Sequence, residues 1–273
     1  MQASSSWTAP TGTLGGLVDE AQARARGLLA SRAELERLAA RAGAPRPFAK
    51  ALRRKNVAVI AEVKRRSPSK GWIKRDLSAV DQARAYERGG AAAVSVLTER
   101  AHFGGSNDDL RNVLAAVGIP VLKKDFHVQP IQLTEARALG ASAALVIARA
   151  VSPDMLREMI ATGRNLGLEL LVEVRDEDEL ARALELGSTV IGINNRNLET
   201  LVIEGGTAER FLARIPGDVI AIAESGVGGR PDVERVARCG ADAVLVGSSI
   251  SASDDPSDAV SQLSSVRRVG RES

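Results

Sequence analysis

Cysteine, histidine and aromatic residues are scarce in this chain of 273 residues. The single cysteine, Cys239, excludes an internal disulfide framework and fits a reducing compartment, so the cytoplasm is the expected location. Two histidines, His102 and His127, with one cysteine argue against a zinc site of the usual ligand types. Net charge is +3 and the isoelectric point lies near 9.3, but aromatics are only 3% and the arginines are spread beside Glu and Asp. That is the pattern of solvated helix faces, with no base-stacking platform, and nucleic acid is not an expected partner. No apolar run approaches the roughly 18 residues that span a bilayer. The opening MQASSSWTAPTGTLGG lacks the basic region and apolar core of a secretory signal. No dinucleotide glycine fingerprint or Walker-type loop follows any candidate strand. The absences together predict a protein without metal or nucleotide cofactor that addresses neither membrane nor nucleic acid.

What the chain does have is 44% hydrophobic residues, enough for one large core or two small ones, and a recurring pattern. Its first instance is VAVIAEVKRRSPSKG, residues 57–71. An apolar β-branched run bounded by turn residues reads as a buried strand. Glu62 and Lys64, two apart, share one face of it because side chains alternate along a strand. Two buried charges without a purpose would be expensive. A purely structural Glu–Lys pair explains this segment alone, but not its recurrence further on.

Strands are predicted over 57–63, 93–97, 121–124, 143–147, 169–174, 190–194, 219–224 and 243–247, with starts roughly 20 to 36 residues apart. Amphipathic helices lie between them, and Gly90, Gly140, Gly187 and Gly240 sit where a helix hands over to the next strand. Eight such repeats predict an α/β fold, a (βα)8 TIM barrel, with an open doubly wound sheet as the alternative. Residues 1 to about 13 are expected to be disordered. An N-terminal helical extension follows over 14–42 with a break near Gly27, closed by Pro45 and Pro47, and Phe48 and Leu52 start a short helical lead-in. The expected organisation is therefore 1–47 for the start and extension, 48–267 for the barrel and 268–273 for a frayed tail, with no second enzyme domain fused to it.

In a barrel of this kind the strand ends meet at one mouth. Those ends carry Glu62 and Lys64, then Thr98-Glu99 with Phe103 in the loop beyond, Lys123-Lys124-Asp125-Phe126, Glu173, Asn194 and Arg196, Glu224-Ser225-Gly226, and Gly247-Ser248-Ser249. Alternation puts Phe126 with Lys124 and Arg196 with Asn194, and turns Lys123 to the opposite face in a structural or solvated role. Glu173 is the carboxylate most surrounded by apolar neighbours, and burial should raise its pKa unless a lysine lies close. Ser225-Gly226, Gly247-Ser248 and the SPSKG loop with Ser67 suit a phosphate held by backbone N–H groups.

These residues resemble the indole-3-glycerol-phosphate synthase family of tryptophan biosynthesis. The matching stretches are AEVKRRSPSKG, SVLTERAHFGGS, PVLKKDF, LLVEV, IGINNRNLETL, AESGV and ADAVLVGSS, in the family's order, from about Phe48 to Ser249. His102 before Phe103, Ser248-Ser249 where Gly-Glu-Ser is frequent, and the amino-terminal extension depart from the family pattern. The resemblance implies a carboxy-lyase that converts 1-(2-carboxyphenylamino)-1-deoxyribulose 5-phosphate to indole-3-glycerol phosphate, carbon dioxide and water. It implies Lys124 as general acid, Glu173 as base, and Lys64 and Glu62 as helpers in acid transfer. Asn194 and Glu224 become positioners, and Arg196 with Lys64 anchors substrate anions. Phe103, Phe126 and Leu198 would line a slot for the aromatic ring, and Ser67, Ser225, Gly226, Gly247 and Ser248 the phosphate cradle. Spacing leaves open which lysine serves ring closure and which dehydration.

Two other readings compete. A phosphosugar-binding barrel without catalysis needs the anion grips but not the acid and base. A sugar-phosphate isomerase such as phosphoribosylanthranilate isomerase is expected to use a Cys/Asp pair, whereas Cys239 falls in a helix between the last two strands.

Overall fold

The computed structural model describes residues 7–271. Among them, strands β1 (Ala58–Val63), β2 (Ala93–Leu97), β3 (Val121–Lys124), β4 (Ala143–Ile147), β5 (Glu169–Val174), β6 (Val190–Asn194), β7 (Ile220–Glu224) and β8 (Ala243–Val246) pair in parallel. They close in the order β1-β8-β7-β6-β5-β4-β3-β2, with β1 pairing β8 through Ala58↔Ala243 and β2 through Ile60↔Ala93. The structure is the expected (βα)8 barrel, and closure rules out the open sheet. Six of the strands are buried at every position. That is why they read as near-continuous apolar runs rather than as alternating ones. β1 and β7 begin one residue later than expected and β8 ends at Val246, differences confined to element ends.

Ser78, Ser106, Ser152, Asp176 and Asp255 each accept the N–H three residues on and so start the helices at Ala79–Arg88, Asn107–Ala116, Pro153–Leu166, Glu177–Glu185 and Pro256–Ser264. Gly90, Gly140, Gly187 and Gly240 take φ between +73° and +92° where the chain leaves a helix, a conformation a Cβ would disfavour.

The N-terminal extension forms α1 (Gly12–Leu28) and α2 (Arg32–Arg41), broken by a 3-10 turn at Leu29–Ser31 rather than at Gly27. Leu14, Leu17, Val18 and Ala21 bury one stripe of α1 into the same apolar core as the barrel, and each larger side chain so buried contributes roughly 1.5–3 kcal/mol. The disordered start expected up to about residue 13 does not describe the residues just before α1. Thr8 O accepts from Arg149 Nη1 at 2.7 Å, and Thr11 N–H donates to Glu199 Oε1 at 2.7 Å. Residues 1–6 lie outside the described ones. The lead-in α3 (Phe48–Leu52) is held by Glu169, whose carboxylate accepts the Phe48 and Ala49 N–H groups.

The tail corrects another expectation. Arg268 and Arg271 both pair with Asp242 at the start of β8, at 2.6 and 2.7 Å, and the Arg271 side chain is 5% exposed. A buried carboxylate at the barrel's floor recruits these two cations, so residues 268–271 pack rather than fray; 272 and 273 lie outside the described residues.

Candidate active site

The strand ends converge as parallel closure requires. Lys124 Nζ at the end of β3 lies 3.4 Å from Glu224 Oε2, 3.8 Å from Glu173 Oε2 and 3.9 Å from Glu62 Oε2. Lys64 Nζ reaches Glu62 Oε1 at 3.1 Å, so the pair two residues apart on β1 does share a face. Asn194 Nδ2 donates to Glu173 Oε1 at 2.8 Å, and its Oδ1 accepts the Arg196 N–H at 2.9 Å. Arg196 in turn is held by Leu201 O at 2.7 Å. The result is a cluster of three carboxyl groups and two lysines, of which Glu62, Glu173, Lys64 and Lys124 line one cavity and Glu224 lies behind its wall.

The electrostatics follow from that count. Burial works against the charge on Lys124, but Glu224, Glu62 and Glu173 outweigh it and raise its pKa, so the ammonium form holds at neutral pH. Burial likewise opposes ionisation of Glu62, and Lys64 and Lys124 overcome it, leaving this carboxyl below its usual value. Glu224 loses the competition. Burial, opposed by Lys124 and reinforced by Glu173 and Glu62, pushes it up to about 8. Its Oε1 has no hydrogen-bond partner among the described residues. Gly192 on β6 makes room for that oxygen, because a Cβ there would collide with it. The sequence reading placed the risk of a raised pKa on Glu173. The structure puts Lys124 3.8 Å from Glu173, the condition that reading set, and within this cluster burial raises Glu224.

An apolar slot adjoins the charges. The rings of Phe103 and Phe126 lie 6.1 Å apart at 42°, and Lys64 Nζ sits 5.9 Å from the Phe103 centroid. Leu198 lines the same cavity, as do Ser67, Ser225 and Ser248 at its other end. Ser225 holds φ +62°, uncommon for a non-glycine residue, and with Gly226 at +80° it turns the chain sharply after β7. Gly247 is needed because a Cβ there would approach Glu62 Oε1 to 2.6 Å. Glu62, Lys64, Lys124, Glu173, Asn194 and Arg196 all reach the cavity; Glu224, Gly226 and Gly247 sit behind its wall.

Lys123 turns away, as alternation predicts. It is 2% exposed and held by Asp125 at 3.3 Å and Glu135 at 3.4 Å, so its role is structural and not solvated. His127 lies against it, Nε2 to Nζ 3.5 Å, with Nδ1 2.7 Å from Leu145 O. Burial and the Lys123 charge push the imidazole down to about 3. Cys239 caps the helix Arg230–Arg238, outside the cavity. Among the described residues, Glu20, Glu99 and His102 hold ligand-type atoms within 4.8 Å of one another. Glu99 already accepts three backbone N–H groups and His102 pairs with Glu20, so ordinary bonding accounts for that cluster.

Sequence reasoning did not find Leu17, Leu97, Leu145, Ile147 and Leu201, which also line the cavity. Leu145 and Ile147 alternate along β4, the one strand with no polar end to draw notice. Leu17 comes from the extension, where nothing in the sequence separates it from other buried leucines.

Comparisons with other proteins place the chain in a family. The family profile described as Indole-3-glycerol phosphate synthase matches residues 18–263. Indole-3-glycerol phosphate synthase 2 of Streptomyces coelicolor is 46% identical over 255 residues, covering 93% of this chain and 99% of that one. The synthase of Mycolicibacterium vanbaalenii is 47% identical over 243 residues, 89% of each chain. That of Kineococcus radiotolerans is 50% identical over 209 residues, 77% of this chain and 76% of its own. Among solved structures, a thiamine phosphate pyrophosphorylase from Pyrococcus furiosus superposes with a TM-score of 0.56 at 16% identity, covering 78% of this chain and 95% of that one, a likeness of fold alone. With a profile matched from α1 to the last helix and relatives near half identity over almost the full length, the chain belongs to the indole-3-glycerol phosphate synthase family.

Proposed function

We propose that this chain closes the indole ring of 1-(2-carboxyphenylamino)-1-deoxyribulose 5-phosphate, with Lys124 as the acid of ring closure and Glu173 as the base of dehydration. Membership of the family makes it a carboxy-lyase of tryptophan biosynthesis. The observation that carries the residue assignment is the position of Lys124 Nζ, within 3.4–3.9 Å of three carboxyl groups and beside an aromatic-lined slot.

The ring carbon that bears the carboxylate attacks the ketone carbon while the Lys124 ammonium gives its proton to the ketone oxygen. The bond to the carboxylate then breaks, carbon dioxide leaves, and the electron pair restores the aromatic ring. In the last step Lys64, held by Glu62, gives a proton to the departing hydroxyl, and Glu173, oriented by Asn194, removes the proton whose loss completes the indole. Positioned proton transfers of this type contribute roughly 10²–10⁴-fold each. Burial, reinforced by Glu173 and Glu62 and opposed by Lys124, raises the Glu224 carboxyl, which favours its holding a proton beside the reacting groups. Arg196 and Lys64 anchor the carboxylate before it leaves, and Phe103, Phe126 and Leu198 hold the ring. Ser67, Ser225 and Ser248, with the backbone at Gly226 and Gly247, hold the phosphate. The lone, partly buried Cys239 supports a reducing compartment and with it the cytoplasm.

The test is incubation of the purified protein with the carboxyphenylamino-deoxyribulose phosphate while indole fluorescence is followed. Fluorescent product supports the synthase; binding without turnover would leave a phosphosugar-binding barrel.

A further inference from the structure

The proposed reaction has a proton balance that the central cluster does not close. The substrate carboxylate is ionised at neutral pH and leaves as neutral carbon dioxide. Two protons are given, one to the ketone oxygen and one to the departing hydroxyl, and Glu173 takes back one. A net proton must therefore reach the site from solvent in every turnover.

Glu173 borders a second chamber besides the main cavity, of about 140 Å³, and Asn194 and Arg196 are shared by both. That volume holds several waters, and its wall is polar enough to bind them. Glu179 lines the chamber although it is 6% exposed. The partly exposed Arg149, Asn197 and Glu199 form part of the same wall.

At the start of the helix Glu177–Glu185, Glu179 Oε2 accepts the Arg175 N–H at 2.7 Å, and its own N–H is accepted by Asp176 Oδ1 at 2.8 Å. This reciprocal cap explains an acceptor at position 179 but not a buried acid, since glutamine serves a cap equally well. The cap engages Oε2 and leaves Oε1 for exchange. Burial and the neighbouring Asp176 raise this carboxyl, the Arg175 N–H and Arg149 oppose them, and Glu173 adds to the rise, for a value of about 7. Arg196 and Glu199 on the loop after β6 complete the charges around the chamber. An acid poised near neutrality both gives and regains a proton readily.

We propose that Glu179 is the proton-entry residue of this enzyme: its carboxylic acid sends a proton through waters of the side chamber to the Glu173 carboxylate and is reprotonated from solvent. The O–H bond of Glu179 breaks, each water accepts one proton as it releases another, and an O–H bond forms on Glu173. Before this, Glu173 has returned the proton it took to Lys124, 3.8 Å away. The proton arriving from Glu179 goes on by way of Lys124 and the Glu62 carboxylate, 3.9 Å from Lys124 and 3.1 Å from Lys64, to the Lys64 amine, so that both lysines regain the ammonium form. The inference rests on Glu173 being the base of the proposed reaction.

Glu179→Gln tests it, because the amide keeps the size and the cap acceptor but has no proton to exchange. Stopped-flow indole fluorescence is expected to show a first turnover at the parent rate and later turnovers slowed about tenfold. Millimolar imidazole should restore the later turnovers, while Tm and KM stay at parent values. Parent-like steady-state turnover would overturn the relay. So would a slowed first turnover that imidazole does not rescue, the mark of a displaced helix Glu177–Glu185. Glu173→Gln separates the two assignments: loss of turnover there with a parent-like Glu179→Gln sinks the relay alone, whereas full activity in both sinks the base.

Discussion

The floor and the mouth of the barrel both concentrate charge, and they treat it oppositely. At the floor Asp242 accepts Arg268 at 2.6 Å, Arg271 at 2.7 Å and the Ala221 N–H at 2.9 Å. Arg271 also donates to the carbonyls of Ile215, Val219 and Gly240. Every charge there is matched at hydrogen-bond distance. At the mouth Lys124 is shared by three carboxyl groups at 3.4–3.9 Å, and Glu224 Oε1 is left without a partner among the described residues. Close saturation stabilises a fold, while loose sharing keeps donors and acceptors free for a substrate. That division matches the general split of this architecture into a stability face and a catalytic face.

The comparison can be broken by moving the wrong quantity at either end. Lys124→Ala should cut kcat by at least ~10² while leaving the thermal midpoint near the parent's; near-full turnover would remove it as the acid. Arg271→Ala should do the reverse. Arg268 and the Ala221 N–H still hold Asp242, so the cost is that of a lost charge-assisted hydrogen bond, about 1.5–3 kcal/mol, read from chemical denaturation, with kcat of the folded protein unchanged. Ser248→Asp should act mainly on KM, raising it about tenfold through like-charge repulsion of the phosphate, and an unchanged KM would move the cradle elsewhere. A pH dependence is expected at the mouth as well. Glu224 is raised from 4.5 to about 8, so between those values the folded chain binds more protons than the unfolded one. Its contribution is whole below about pH 4.5 and is lost as pH rises through 8, at no more than about 1.4 kcal/mol per pH unit. The stability of the parent relative to Glu224→Gln should fall across that window. A flat difference from pH 5 to 8.5 would contradict the assigned direction.

Legibility in the sequence tracked the range of the interaction involved. Lys123 and Lys124 are adjacent, yet alternation along β3 separated them correctly, because facing depends only on strand geometry. The Glu62–Lys64 pair was readable for the same reason. The rise of Glu224 was not. Apolar neighbours in the chain pointed to Glu173, but its environment includes Lys124, and Glu224 is set by burial and by charges from three other strands. Leu17 was invisible because a leucine that seals a helix and one that walls a cavity carry the same local pattern. The packed tail was missed because Asp242, the group that orders it, looks from the sequence like any polar residue before a strand.

Strand positions, the inward sense of each strand-end residue and the family were all written in the order of amino acids, since apolar periodicity and turn chemistry act over a few residues. Separations among Lys124, Glu62, Glu173 and Glu224, and hence which carboxyl keeps its proton, came into being only when β1 closed against β8. Coulomb energies and desolvation depend on distances in space, and closure sets those distances for residues that the chain keeps far apart.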